Sequence, residues 1–171
     1  MDNRIEAKKR IKELLRTDLG YIYKETNVGR HKIHLTFKMD SRTHELQMTF
    51  DFAKKYCDIL TFISPRVLTD EYYDETLYTI NTINTYVKAF GKFYVDDYND
   101  IAYSLRLPYT MIEKRPIETI WEIQGAVKYY EDVFCILLDV AQGKKTLKTA
   151  KSLLRRCGSA KARKCRTDLS Q

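Results

Sequence analysis

Apolar residues recur at two periods along this chain, and each change of period marks an element. Residues 3–19 carry Ala7, Ile11, Leu14 and Leu15 on one helical stripe. Asn3 with Glu6 three positions on reads as a capping box, and Gly20 is placed to end the helix. The period then falls to two. Ile33, Leu35, Phe37 and Met39 alternate with Lys32, His34, Thr36 and Lys38. After the polar turn Asp40-Ser41-Arg42-Thr43, Leu46, Met48, Phe50 and Phe52 alternate with Glu45, Gln47, Thr49 and Asp51. Pairing Met39 with His44 sets Phe37 against Leu46, Leu35 against Met48 and Ile33 against Phe50. That register puts both apolar sets on one face of a hairpin. Tyr21–Glu25 predicts a strand before the hairpin, and Cys57–Ser64, closed by Pro65, a strand after it.

Residues 70–90 return to the helical period. Tyr73, Leu77, Ile80, Asn84 and Val87 form the stripe, widened by Ile83 and Phe90, with Gly91 as the stop. Lys92–Asp96, the turn Asp97-Tyr98-Asn99-Asp100 and Ile101–Leu107 predict a second hairpin, ended by Pro108. Phe93 and Val95 share a face there with Ile101, Tyr103, Leu105 and Leu107. A last helix starts near Pro116, a residue suited to a first helical turn, and runs to about Gly143. The order helix–strands–helix–two strands–helix predicts an α+β fold: an antiparallel sheet with helices packed on one face. The sheet's buried hairpin face is expected to pack on the second and last helices. Without alternating βαβ units there is no switch-point crevice for a nucleotide.

Charge divides the chain where hydropathy does not. The 171 residues carry a net +7. From Lys144 to Gln171, ten Lys and Arg stand against one acid, Asp168; this net +9 leaves −2 on residues 1–143. The composition therefore predicts a domain over 1–143 and a basic tail over 144–171, and argues against a domain that is basic throughout. The first residues contain no apolar signal-peptide core. The longest apolar run, residues 133–138, is far short of the about 20 residues that span a bilayer, so a cytoplasmic protein is expected. Cys57 and Cys135 sit in apolar company and are expected in the core. Cys157 and Cys165 lie among Lys and Arg, which favours the thiolate.

Motifs for chemistry are tested and fail. Gly143-Lys144-Lys145-Thr146 lacks the earlier glycine of a phosphate loop; Leu138 holds that place, so a glycine-capped helix end is the better reading. His31 and His34 point to opposite faces of a strand and cannot share a metal. Asp96, Asp97, Asn99 and Asp100 lack the glycine and terminal glutamate of a calcium loop and suit a hairpin turn. No nucleophile elbow, zinc-protease helix or dinucleotide fingerprint occurs, so a protein without catalysis, cofactor or metal is expected.

Three features remain. Asn84 lies on an inward stripe and is expected to hydrogen-bond a strand or loop backbone. The run 133–138 is apolar all round its helix while a sheet covers one face, so a second cover is required. The first helix, residues 147–154 or a second subunit would supply it; Phe134, Leu137 and Leu138 are the candidate interface of a homodimer. In the tail, Leu147, Ala150, Leu153 and Leu154 make an apolar stripe. Lys144, Lys148, Lys151 and Arg155, with Arg156 beside them, make a basic face suited to nucleic-acid phosphates, an anionic membrane or an acidic protein.

Asn81-Thr82-Ile83-Asn84-Thr85-Tyr86, Phe90-Gly91-Lys92-Phe93-Tyr94-Val95-Asp96 and Ile101-Ala102-Tyr103-Ser104-Leu105-Arg106-Leu107-Pro108 together resemble the YbjN family, which shares the fold of type III secretion chaperones. The resemblance covers about residues 15–143 and leaves out the tail. It implies a compact α+β domain, often dimeric, without established catalysis. The chaperone relatives bind unfolded segments of effector proteins along sheet and helix surfaces. Those chaperones are usually acidic, and the basic tail departs from that. The resulting expectation is a non-enzymatic protein-binding module, chaperone- or adaptor-like and dimeric. The alternative is a regulator that contacts nucleic acid through its tail.

Overall fold

The computed structural model of the protein describes residues 3–25, 32–38, 44–86 and 90–152. It is an α+β fold built on an antiparallel sheet. Its strands are β1 (Lys24–Glu25), β2 (Lys32–Lys38), β3 (Glu45–Phe52), β4 (Tyr56–Ser64), β5 (Lys92–Val95) and β6 (Ile101–Pro108), in the order β1-β2-β3-β4-β6-β5. The helices are α1 (Asn3–Glu13), α2 (Tyr73–Tyr86), α3 (Tyr109–Lys114) and α4 (Pro116–Ala141).

The hairpin register follows the alternation of the sequence. Ile33 opposes Phe50, Leu35 opposes Met48 and Phe37 opposes Leu46. The same rows run on across the sheet. Met48 faces Thr61, Thr61 faces Tyr103 and Tyr103 faces Phe93; Phe50 faces Ile59, which faces Leu105. These residues are buried. Phe37, at the far end of β2, is only half-buried, with the Tyr21 ring edge-on at 4.9 Å. The helix that packs on the hairpin is α1, against β3. The second helix, expected over the hairpin, lies instead beside β5 and α4. Met39 and the turn after it lie outside the described residues.

The first helix does not stay α-helical to its end. Leu14–Asp18 widen into a π turn, in which Leu19 N–H reaches the Leu14 carbonyl at 3.0 Å. Ala7, Ile11, Leu14 and Leu15 are all buried, as their spacing predicts. On the second helix the buried set is Thr76, Thr79, Ile80 and Ile83, while Leu77 is half-buried and Phe90 is 70% exposed. Phe90 therefore does not widen the stripe: it follows the helix rather than belonging to it. The short helix α3 was not evident in the sequence. It buries Tyr109 and Ile112, and Tyr109 donates its hydroxyl proton to the Ala53 carbonyl.

The last helix ends as its glycine predicts. Gly143 has φ +69°, its N–H bonds the Val140 carbonyl at 2.9 Å, and Lys144 N–H bonds the Asp139 carbonyl at 2.7 Å. This pair of bonds is the Schellman arrangement, which satisfies carbonyls that a helix end leaves open. Lys145 adds an ion pair to Asp139 at 2.5 Å. The backbone then turns helical again over 147–152, and Ala150 joins the core. Residues just beyond the expected boundary at 143 are thus packed on the domain.

Asn84 joins this helix layer to the sheet. Its amide donates to the Phe93 carbonyl at 2.8 Å and accepts from Phe93 N–H at 2.9 Å. Strand β5 is an edge, and Asn84 occupies backbone groups that would otherwise be open to another strand. Asn84→Ala is expected to cost about 1–3 kcal/mol, because both groups of Phe93 lose their partner. Urea unfolding measures this, and amide exchange at Phe93 should rise in the variant.

Candidate binding surfaces

The interface residues expected on the last helix divide. Leu137 is fully buried in its own chain, in the same cluster as Val140 and Ala150, so it presents no surface to a second subunit. Leu138 is half-buried against that cluster. The side chain of Phe134 lies outside the described residues. Val133 and Ile136 face the core with Leu137 at helical spacing. Cover for this stretch comes from the chain itself: the π turn packs on α4, and Ala150 belongs to the same core. Cys135, expected in the core, is exposed instead, since it projects opposite the buried stripe. Cys57 is buried as expected, and burial pushes its thiol pKa well up, which keeps the thiol protonated.

In the tail, Lys144, Lys148 and Lys151 are exposed. Arg155, Arg156, Cys157 and Cys165 lie outside the described residues. Among the described residues no group of three or more His, Cys, Asp or Glu is placed to hold a metal ion. No helix among them is long and apolar enough to cross a membrane.

On the sheet face turned away from the helices, the part around Lys32 and Arg106 is polar and ordered by ion pairs, while Leu60, Phe62 and Tyr94 make the rest apolar. Lys32, Asp51, Asp58 and Arg106 stand in one row across four strands. Lys32 reaches Asp51 at 3.1 Å. Arg106 Nε reaches Asp58 at 2.7 Å, and its guanidinium lies 4.0 Å from the centre of the Tyr56 ring. Each cation offsets the repulsion between the two facing carboxylates. In the next row the Thr49 hydroxyl meets His34 Nδ1 at 2.8 Å. These groups satisfy one another, as in a solvated structural face.

A different surface stands on α1 and is open. A hollow of about 600 Å³ is lined by Ile5, Lys8, Lys9, Lys12, Glu13, Arg16 and Tyr23. Helical spacing places 5, 8, 9, 12 and 16 on one side, opposite the buried Ala7 and Ile11. Ile5 is 65% exposed, and Ile22, next to Tyr23, is 92% exposed. Four cations against one carboxylate give this hollow a net positive charge, and Glu13 is paired with Arg10 at 2.6 Å. Sequence reading missed this site, because charge summed over 1–143 hid it. The signal was present in the clustering of basic residues on the polar side of the first helix.

Tyr103, Tyr129 and Tyr130 cluster with Phe93 where β5, β6 and α4 meet. The Tyr103 ring is fully buried with Phe93 edge-on at 5.0 Å and Tyr129 at 6.1 Å. Burial pushes the Tyr103 hydroxyl far above its ordinary pKa and raises that of nearby Glu122, whose carboxylate accepts a hydrogen bond from Phe90 N–H at 3.3 Å. These groups hold β5, β6 and α4 together and form no open cleft among the described hollows.

Comparison with family models, curated proteins and solved structures finds no match.

Proposed function

We propose that this chain is a non-enzymatic polypeptide-binding module, chaperone- or adaptor-like, which acts in the cytoplasm as a small dimer. The observation that carries this reading is the α1 hollow. Lys8, Lys9, Lys12 and Arg16 surround it, and exposed Ile5 with half-buried Tyr23 gives it apolar walls. Charge and apolar surface together suit an acidic segment with hydrophobic side chains, held by contacts that tolerate sequence variation. The YbjN resemblance, with its relation to secretion chaperones, supports the same class.

The second reading is a regulator that contacts nucleic acid through the tail. Its support is the exposure of Lys144, Lys148 and Lys151 on a short helix that continues into more basic sequence.

One titration separates the two. A fluorescent peptide of alternating Glu and Leu should bind the full chain with strong salt dependence. Binding should disappear in Lys9→Glu/Arg16→Glu and survive Lys144→Glu/Lys148→Glu/Lys151→Glu, which leaves the buried Ala150 in place. A labelled oligonucleotide whose binding is lost in that triple tail variant, with affinity falling steeply as salt rises, would favour the tail. Peptide binding indifferent to the charge reversal would overturn the first reading.

A further inference from the structure

The start of α2 and the turn after β5 make one acidic face. Asp70, Glu71, Asp74 and Glu75 stand on the 3₁₀ turn Asp70–Tyr72 and the first turn of α2, and Asp96, Asp97 and Asp100 on the β5–β6 turn. Asn99 Nδ2 bonds Asp70 at 2.8 Å and joins the two groups. None of these seven carboxylates stands in an ion pair with a described residue. Arg66, whose Nη1 donates to the Tyr98 carbonyl at 3.0 Å, is a cation beside them.

The basic tail leaves the domain at this face. Thr69 Oγ1 donates to the Ala141 carbonyl at 3.4 Å, and Gly143 lies so close to the Tyr72 ring that a Cβ would overlap it. The end of α4 is therefore seated on the residue before the acidic run and on a residue inside it. Lys144, Lys148 and Lys151 follow and are exposed, while buried Ala150 holds their turn to the core. Beyond Ser152 the sequence carries Arg155, Arg156, Lys161, Arg163, Lys164 and Arg166 against Asp168 alone. From Ser152 to Arg166 the chain reaches at most about 45 Å, ample for a face made of one helix start and one hairpin turn.

We infer that residues 153–171 dock on the acidic face of their own chain. The argument for this occupant is charge and tether together. Six cations meet seven carboxylates that have no ion-pair partner among the described residues. The segment is joined to the rim of the face, so its encounter is intramolecular, at an effective concentration on the order of millimolar. The cations of α1 do not serve, because α1 packs on β3 and α3, away from the β5 edge. Each exposed pair contributes little by itself, so docking depends on their number and on low ionic strength. The tail is thereby guarded: an external polyanion must displace the acidic face before it meets the same cations. This goes beyond both readings above, since it holds for the tail whatever else the tail binds.

Carbodiimide coupling of the full chain at low salt tests the contact, because it joins a lysine amine to a carboxylate within reach. Cross-links from Lys161 and Lys164 to the acidic face are expected, in a yield independent of protein concentration. High salt or added heparin should remove them. In a mixture of isotopically labelled and unlabelled chains they should stay within one copy. Trypsin cleavage after Arg163 and Lys164 reads docking separately. Glu71→Gln/Asp74→Asn/Asp97→Asn should speed it about fivefold at low salt, the effect of losing a few exposed pairs. All three side chains are exposed, and Asp96 is left in place because it accepts Tyr98 and Asp100 N–H at 2.9 Å within its own turn. The circular dichroism spectrum should not change. Glu45→Gln/Glu113→Gln/Glu131→Gln, the same change of net charge elsewhere on the surface, should cleave like the unaltered chain. Absence of the cross-links at low salt, or their persistence in heparin, would overturn the inference. So would cleavage indifferent to the acidic-face variant or equally fast in both variants. Cross-links shared evenly between labelled and unlabelled copies would overturn it in favour of the tail of a second copy.

Discussion

Phe50→Ala is expected to destabilise the domain by about 3–5 kcal/mol, the range for truncating a buried aromatic side chain. Phe50 is fully buried on β3, one of the interior strands. It faces Ile33 on one side and Ile59 on the other, and Leu105 continues the row on β6. Each neighbour is fixed by a strand ladder and cannot move in to fill the space, so the cavity persists. Phe37→Ala is the internal comparison. That ring is half-buried beside Tyr21, and β2 has only the two-residue β1 beyond it. Loss of the partly solvated ring is expected to cost about 1–2 kcal/mol, near what removal of partial apolar burial gives. Urea unfolding of both variants checks the order. Equal losses would mean that the sheet's burial does not rise from its β1 edge to its middle.

The hairpin was legible because two independent constraints agree on its register: the alternation of apolar residues and the length of its turn. Asn84 was legible in the same way, since a polar side chain on an apolar stripe must find a backbone partner. Other features depend on residues distant in sequence. What covers α4 is the π turn around Leu14 and the turn bearing Ala150, the two intramolecular covers open from the sequence, which hydropathy alone could not rank against a second subunit. Leu137 therefore read as surplus apolar surface when it is core. Phe90 and Cys135 show the converse. Each has the hydropathy of a core residue, yet one follows its helix and the other projects opposite the buried stripe. Helix α3 is too short for a period to show.

Charge was legible as a total but not as a distribution. The −2 over residues 1–143 averages two separated groups. The α1 surface is basic. Asp70, Glu71, Asp74 and Glu75 at the start of α2 stand near the acidic turn Asp96–Asp100, and Asn99 Nδ2 bonds Asp70 at 2.8 Å. Strand order sets this acidic group at the β5 edge, whereas α1 packs on β3 and α3. A sum cannot separate charges that the fold places apart; the helical spacing of Lys8, Lys9, Lys12 and Arg16 carries the signal that the total hides.

Gly91→Ala is expected to cost about 1–3 kcal/mol, with steric overlap as its cause. A Cβ on Gly91 would stand 2.4 Å from the Tyr103 ring carbon Cζ and hydroxyl oxygen. Such overlap is cheap when a side chain can swing away, but Tyr103 is fully buried. Phe93 stands edge-on at 5.0 Å and Tyr129 lies 6.1 Å away, so ring and backbone must shift together. The shift falls where β5 begins, next to the strand residue that Asn84 holds. Gly20 provides the contrast. It has φ +65° with open space around its Cβ position, so Gly20→Ala should carry only the left-handed backbone cost of about 1–2 kcal/mol. A double-mutant cycle separates the two causes. In a Tyr103→Leu background, which removes the far end of the ring, the penalty of Gly91→Ala should nearly vanish. The penalty of Gly20→Ala should stay the same. If Gly91→Ala costs as much with leucine at 103 as with tyrosine, contact with that ring is not what requires a glycine at the start of β5.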